Sequence, residues 1–208
     1  MDQKRAQKSG VATKRGDDGT TGLLFGGDRI YKDDPRTEAY GAVDEAVAAL
    51  GLARAEAATK AQSGSLPRTL ALMPGLILRL QRELFVVGAE LATAPGAEER
   101  QRPGQTRVTA AMVDALDDLL AETEAAIEMP SEFVVPGETR LSADIELART
   151  LVRRAERRAV SLRRAESRPD DELVPYLNRL ADLLWVLARA AEQGESRTAT
   201  PARTGEQP

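Results

Sequence analysis

The 208-residue sequence contains neither cysteine nor histidine. Without cysteine, the chain can form no disulfide and offers neither a thiolate metal ligand nor a cysteine nucleophile. Without histidine, it lacks the side chain that most often acts as a catalytic base and that commonly ligates zinc or haem. Any chemistry must therefore use carboxylates, lysine, arginine, hydroxyls, backbone amides or a borrowed cofactor.

Aromatic residues and long apolar runs are also scarce. Aromatics make up 3% of the chain, and no alternation of apolar and polar residues extends beyond a few positions, which disfavours a β-sandwich or barrel. No apolar segment is long enough for a membrane span, and none follows the basic N-terminus as it would in a signal peptide. The net charge of -4 argues against a dedicated nucleic-acid-binding protein. We therefore expect a soluble, cytoplasmic protein that binds neither nucleic acid nor membrane.

Apolar residues recur at helical spacing in five segments. The first helix is predicted over 35–58, with Asp34 as its cap and Pro35 in its first turn. The fourth is predicted over 141–166, and Pro175 is expected to open the fifth. The predicted buried faces of helices two, three and five are Ile77, Leu80, Leu84, Val87 and Leu91; Val113, Leu116, Leu120 and Ile127, behind Thr109 as a cap; and Leu177, Leu180, Leu184, Leu187 and Ala191.

These segments predict an all-α fold, a five-helix bundle forming one domain over 12–193. The tails 1–11 and 194–208 are polar and are expected to be disordered. Bundles of this kind can hold di-iron sites, but those sites need histidine from facing helices. The lack of histidine therefore makes a di-iron protein a weak alternative.

The fourth helix is rich in arginine and separates into two sides at about 100° per residue. Arg149, Arg153, Glu146 and Glu156 share one polar side, whereas Arg154 and Arg158 point elsewhere. One interpretation is a solvated face with weak Glu–Arg pairs. The other is a binding site, because guanidinium groups grip phosphates and carboxylates at two points. The predicted apolar side consists of Ile145, Ala148, Leu151, Val152, Ala155, Ala159 and Leu162.

The segment 13–36, "TKRGDDGTTGLLFGGDRIYKDDPR", is rich in glycine and charge. Lys14, Lys32, Thr20, Thr21 and the amides of "GDDGTTG" would suit a polyanion, since glycine lets a backbone approach phosphate closely. The spacing matches neither a Walker loop nor the GxGxxG fingerprint. Pattern alone therefore gives only a weak indication of nucleotide binding.

Four blocks, "TKRGDDGTTGLL" with "YKDDPR", "AYGAVDE", "FVVPG" with "ARTLVRRAER", and "YLNRLADLLWVLAR", resemble the PduO-type ATP:cob(I)alamin adenosyltransferases. The resemblance implies a homotrimer of five-helix bundles with active sites between subunits. It implies transfer of the 5'-deoxyadenosyl group of ATP to cob(I)alamin with release of triphosphate, and Mg2+ with unassigned ligands. A flavoprotein reductase and an adenosylcobalamin-dependent mutase are the implied partners.

The same resemblance assigns roles to individual residues. Arg153, Arg149 and Asp44 would be catalytic, Asp44 would pair with Arg149 across the interface, and Phe133 would face the corrin. From the residues alone, Asp44 could equally be a surface carboxylate, Phe133 a packed loop aromatic, and Asn178 a helix cap or bridge. The implied ATP contacts are Thr13, Lys14, Arg15, Gly16, Thr20, Thr21, Lys32, Arg153, Arg154, Ala155, Glu156, Arg157 and Asn178.

Two positions depart from the family pattern. Glu138 stands where a second glycine is usual, and Glu146 where a histidine is usual. Both changes add negative charge near the proposed corrin side, although Arg140 could offset Glu138. Two rival functions stay open. These two residues would permit a module that binds and delivers adenosylcobalamin without turnover, and the arginine-rich fourth helix would suit a helical protein that meets an acidic partner.

Overall fold

The computed structural model describes residues 12–64, 70–166 and 172–203. Five α-helices dominate it, which confirms the predicted all-α bundle. The first runs on to residue 62 instead of ending at 58, and the fifth begins ahead of Pro175. The helices are α1 (Pro35–Gln62), α2 (Met73–Leu91), α3 (Ala110–Ala125), α4 (Arg140–Ala165) and α5 (Leu173–Gly194).

The starts of the helices follow local sequence signals. Asp34 accepts a hydrogen bond from the backbone N–H of Arg36 at 2.8 Å, with Pro35 in the first turn, as predicted. At α4, the hydroxyls of Thr139 and Ser142 bond reciprocally to each other's backbone N–H. Thr109 precedes α3, but its side chain makes no capping bond. Its position was predicted correctly and its hydroxyl role was wrong.

The core lies where α1, α4 and α5 pack together, with α2 on α1 and α3 on α5. The predicted faces of α2 and α5 are buried, as is the apolar side of α4 except Leu151, which is half-buried. The predicted face of α3 is wrong in part, because this peripheral helix buries only Leu116 and ends before Ile127. Among the described residues, no helix combines the length and apolarity needed to cross a membrane.

Ion pairs show that α1 runs antiparallel to α4 and in the same direction as α5, which gives the bundle two distinct ends. Arg36 at the start of α1 pairs with Glu166, directly after α4. Lys60 near the end of α1 pairs with Glu195, directly after α5, at 2.8 Å. The starts of α1 and α5 therefore lie beside the end of α4, and the ends of α1 and α5 lie beside its start.

Two small antiparallel sheets mark these ends. Strands β1 (Thr20–Thr21) and β2 (Ile30–Tyr31) form a hairpin leading into α1. Strands β3 (Val134–Val135) and β4 (Thr200–Pro201) pair between the α3–α4 loop and the chain beyond α5. The disorder predicted for 194–208 is therefore wrong for 194–203, because backbone pairing orders a polar segment that has no core face of its own. Residues 1–11 and 204–208 lie outside the described residues.

Candidate functional site

The glycine-rich segment forms a hairpin that Arg29 organises. Its guanidinium donates to the Thr20 hydroxyl at 2.7 Å, to the Thr20 carbonyl at 3.0 Å and to the Arg15 carbonyl at 2.7 Å. Asp18 accepts from the backbone N–H and the hydroxyl of Thr20, at 2.9 and 2.8 Å. These two bonds lower the pKa of Asp18, the backbone N–H contributing most. The loop is thus preorganised by its own side chains.

Lys32 closes the hairpin from the other strand. Its ammonium group donates to the Gly16 carbonyl at 2.7 Å, and its backbone N–H donates to the Gly19 carbonyl at 2.9 Å. A Cβ on residue 16 would lie 3.0 Å from the Lys32 nitrogen and 3.1 Å from the Thr20 carbonyl oxygen, so Gly16 permits this close approach. The structure therefore brings together one group of predicted ATP contacts: Thr13, Lys14, Arg15, Gly16, Thr20, Thr21 and Lys32.

The hairpin is fixed to the bundle through the chain that follows α2. Leu24 exchanges backbone hydrogen bonds with Ala92 and Ala94, at 2.8 and 3.0 Å. Arg100 donates to the Phe25 carbonyl at 2.6 Å, and its guanidinium lies 4.9 Å from the centre of the Phe25 ring. The exposed residues Thr13 to Arg15 therefore project from a tethered base.

The arginines of α4 divide into two groups. Arg154 pairs with Glu45, and Arg158 with Glu38 at 3.8 Å, so both face α1, consistent with their separation from the polar side. Arg153 is 46% exposed, and within the described ranges its ion-pair partner is the distant Glu156, at 3.7 Å. Arg157 is also exposed, which leaves these two arginines open to a ligand. The Ala155 side chain is fully buried in the core, so it belongs to neither of these two surfaces.

The interpretation of the polar side as a solvated face does not hold for Glu146. This residue is 3% exposed, accepts from Nε of Arg149 at 2.6 Å, and lies 3.3 Å from the guanidinium of Arg189 on α5. Arg189 in turn bonds to Glu192 at 2.8 Å. The charges of this cluster balance, so Glu146 adds no uncompensated negative charge. A helical pattern could not foresee this, because Arg189 comes from another helix.

The remaining predicted residues lie apart in the single chain. Asp44 is exposed on α1, at a concavity of about 460 Å³ lined mainly by apolar side chains including Tyr40 and Phe85. Phe133 is 87% exposed before β3, and Asn178 is exposed near the start of α5. Within the described part of one chain, no ion pair joins Asp44 to Arg149, whose partner is Glu146.

Two residues that shape the hairpin, Asp18 and Arg29, were not predicted from the sequence. Asp18, two residues before Thr20, carries the signal of a side chain that closes its own turn. Arg29 carries no comparable signal, because its role depends on the pairing of β1 with β2.

The described residues contain no group of three or more acidic side chains that could hold a metal ion.

The predicted residues belong to opposite ends of the bundle. The hairpin lies beside the end of α4, whereas Phe133 lies beyond its start, at the end marked by β3 and β4. The 26 residues of α4 span about 39 Å at about 1.5 Å per residue. One chain alone therefore keeps the hairpin and Phe133 too far apart to contact one small molecule together.

Comparisons with known proteins agree with this arrangement of elements. A corrinoid adenosyltransferase of Citrobacter freundii is 39% identical over 182 residues, covering 88% of this chain and 94% of the relative. A cobalamin adenosyltransferase of Cupriavidus metallidurans is 40% identical over 181 residues, covering 87% of each. A variant PduO-type ATP:corrinoid adenosyltransferase from Lactobacillus reuteri, complexed with cobalamin and ATP, matches with a TM-score of 0.77 at 28% identity, covering 93% of this chain and 99% of that one.

The family model described as cobalamin adenosyltransferase matches residues 11–191. That range contains the hairpin, all five predicted helices except the last residues of α5, and every predicted site residue. Two relatives are 39 and 40% identical over 88 and 87% of this chain. Together with them, this match establishes that the chain belongs to the cobalamin adenosyltransferase family.

Proposed function

We propose that this enzyme transfers the 5'-deoxyadenosyl group of ATP to the reduced cobalt of a corrinoid at sites shared between copies of the chain. Membership of the family gives the reaction: adenosyl transfer from ATP to a corrinoid. The observation that carries the shared site is the separation of the hairpin from Phe133 along the length of α4. A second copy can place its α4 arginines and its Phe133 beside the hairpin of the first.

The hairpin and α4 would hold the triphosphate from two sides. Lys14 and Lys32 supply ammonium groups beside glycine amides, and Lys32 is already oriented by the Gly16 carbonyl. Arg153 and Arg157 supply exposed guanidinium groups from a rigid helix. Such groups form charge-assisted, two-point hydrogen bonds with phosphate oxygens. Asn178, exposed near the start of α5, would complete the nucleotide site.

Phe133 and the surface around Asp44 would form the corrin side. An aromatic ring that is 87% exposed leaves a large apolar area in water, which favours its burial against another molecule. The apolar concavity beside Asp44 offers a second such area. Asp44 would pair with Arg149 of a neighbouring copy, since Glu146 occupies only one side of that guanidinium.

The protein need not provide a base, which agrees with the lack of histidine. The reduced cobalt of the corrinoid is itself the nucleophile that attacks the ribose C5', and triphosphate is the leaving group. Arg153, Arg157 and the lysines would stabilise the negative charge that grows on triphosphate, and the two copies would hold the reacting atoms in line. Mg2+ on the phosphates would add to this charge neutralisation, with no protein ligand assigned.

The homotrimer, the flavoprotein reductase and the mutase that receives the product stay predictions from the family resemblance, and the cytoplasmic location stays a prediction from the sequence. The delivery module without turnover was favoured by two acidic residues, Glu138 and Glu146. Glu146 no longer favours it, because its charge is neutralised by Arg149 and Arg189. Glu138 is the residue that still does.

The test is an assay with purified protein, ATP, Mg2+ and chemically reduced cobalamin. The absorption spectrum should change to that of adenosylcobalamin, with triphosphate released in equal amount. Folded, oligomeric protein that binds adenosylcobalamin tightly but forms none would instead support the delivery module. Hydrogen exchange of residues 13–32 with and without ATP separates both from a helical interaction protein, which predicts no protection by ATP.

A further inference from the structure

We propose that the C-terminal segment 195–203 positions Phe133, and that the backbone N–H of Ala202 is its principal contact. This inference rests on the proposed role of Phe133 against the corrinoid. It assigns a function in substrate binding to a segment that contributes no side chain to the proposed site.

The contact is direct and involves only backbone. The N–H of Ala202 donates to the carbonyl of Phe133 at 2.7 Å. The next residues continue the pairing, Val134 opposite Pro201 and Val135 opposite Thr200. The backbone of Phe133 is therefore held while its ring stays 87% exposed. Such an arrangement fixes the backbone position from which the ring extends and leaves the surface of the ring free for a ligand.

The α3–α4 loop and the segment 195–203 are each tied to the rigid bundle. For the loop, the side-chain amide of Gln193, near the end of α5, donates to the Glu128 carbonyl at 2.6 Å and accepts from the Glu128 N–H at 2.9 Å. Lys60 of α1 pairs with Glu195 at 2.8 Å, and the N–H of Arg197 donates to the Glu192 carbonyl at 2.9 Å. Position is thus transmitted from α1 and α5, through 195–203, to Phe133.

Side-chain packing does little to hold the α3–α4 loop against the segment 195–203. A concavity of about 340 Å³ separates loop residues 128–132 from residues 197–199, so packing does not fill the space between the two segments. Fixing a loop residue costs conformational free energy. Since β4 has already ordered Phe133, corrinoid binding need not supply that ordering.

The substitution Ala202→Pro removes this donor and little else. Pro201 is in a strand, and the extended backbone there is compatible with a following proline. The matched control is Arg203→Pro, which places the same ring one residue further along, beyond the paired residues. The measured quantities are the KM for the corrinoid, the KM for ATP and the melting temperature.

We expect Ala202→Pro to raise the corrinoid KM about three- to tenfold, the effect of one hydrogen bond. The KM for ATP and the melting temperature should match those of the wild type, and Arg203→Pro should behave as wild type. In a Phe133→Ala background, Ala202→Pro should add nothing further, because coupled residues are not additive.

An unchanged corrinoid KM for Ala202→Pro, or a full additional effect in the Phe133→Ala background, would overturn the inference. An equal rise in both KM values would show a general structural role and would also overturn it. These outcomes all require an active wild-type enzyme. An inactive wild type would reject the proposed function itself, so the two failures are distinguishable.

Discussion

Glu146 joins Arg149 to the interior of the bundle: one of its oxygens accepts from Nε of Arg149 at 2.6 Å and the other lies 3.3 Å from Arg189. Glu192 also pairs with Arg189, and all three of Glu146, Arg189 and Glu192 are almost completely buried. The guanidinium of Arg149 is therefore held by a charge-balanced cluster, while 24% of its side chain stays exposed.

Removing Glu146 should destabilise the fold. In Glu146→Gln, Arg149 loses its charged partner and buried Arg189 keeps only Glu192, so we expect the free energy of unfolding to fall by about 3 to 5 kcal/mol. Denaturant unfolding measures this. Glu156→Gln is the control, since its pair with Arg153 is long and partly exposed, and it should cost less than about 1 kcal/mol. Equal stability of the two variants would contradict the structural role of the cluster.

Arg153 should matter for turnover but not for folding. It is half exposed on α4 and lies off the buried stripe. Arg153→Ala should therefore lower kcat/KM about 100- to 1000-fold, the range for removing one charge-stabilising donor, with little change in melting temperature. Arg158→Ala, which removes a comparably exposed arginine paired to Glu38 at 3.8 Å, should retain near wild-type activity. Similar kinetics for the two would remove the reason for assigning Arg153 to the triphosphate.

Mixing two inactive variants tests whether sites are shared between copies. Lys32→Ala damages the hairpin and Arg153→Ala damages α4. If these residues meet across an interface, hybrids formed by co-expression regain about a quarter of the sites in a random equal mixture. If both residues act within one chain, every site retains a defect and activity stays at the level of the variants. The control is each variant co-expressed with itself under the same conditions.

Tyr176 should make stability fall at alkaline pH. Its side chain is fully buried and its hydroxyl donates to Glu83 at 2.8 Å. Burial first, and the Glu83 carboxylate second, raise the pKa of Tyr176 well above the usual value of 10.0. The folded state thus keeps this proton more tightly than the unfolded state, so the resulting stability is complete below about pH 10 and is lost as pH rises beyond it.

Tyr176→Phe removes that titration and serves as the comparison. Near neutral pH the variant should be about 1 kcal/mol less stable, because the bond to Glu83 is lost. Above pH 10 its stability should decline less steeply than that of the wild type in urea unfolding. Tyr31→Phe, at a residue that is 70% exposed, should follow the wild-type curve. Parallel curves for Tyr176→Phe and wild type would show that Tyr176 does not titrate as proposed.

The sequence predicted those parts of the molecule that depend on neighbours along the chain. Helical spacing located all five helices, and Asp34 with Pro35 located the start of α1. Contacts between distant segments were not predictable in this way. The burial of Glu146 depends on Arg189, and the order of 194–203 depends on pairing with β3. Arg29 likewise acts on residues nine to fourteen positions away.

The candidate site shows the same division. The hairpin residues were recognised because glycine, lysine and threonine crowd into one short segment, and Lys32 and Gly16 do meet. Asp44, Arg149 and Phe133 could be assigned only through the family resemblance. Their proposed meeting involves more than one chain, so no pattern within a single sequence encodes the distance between them.

The fixed length of α4 determines how many catalytic centres an assembly of copies can contain. If each catalytic centre draws the hairpin from one copy and Phe133 from the next, a closed ring contains as many centres as copies, and a solitary copy contains none. Specific activity would then decline on dilution at the concentration where the ring comes apart. Subunit association would thus act as an on–off control of catalysis, with no separate regulatory ligand required.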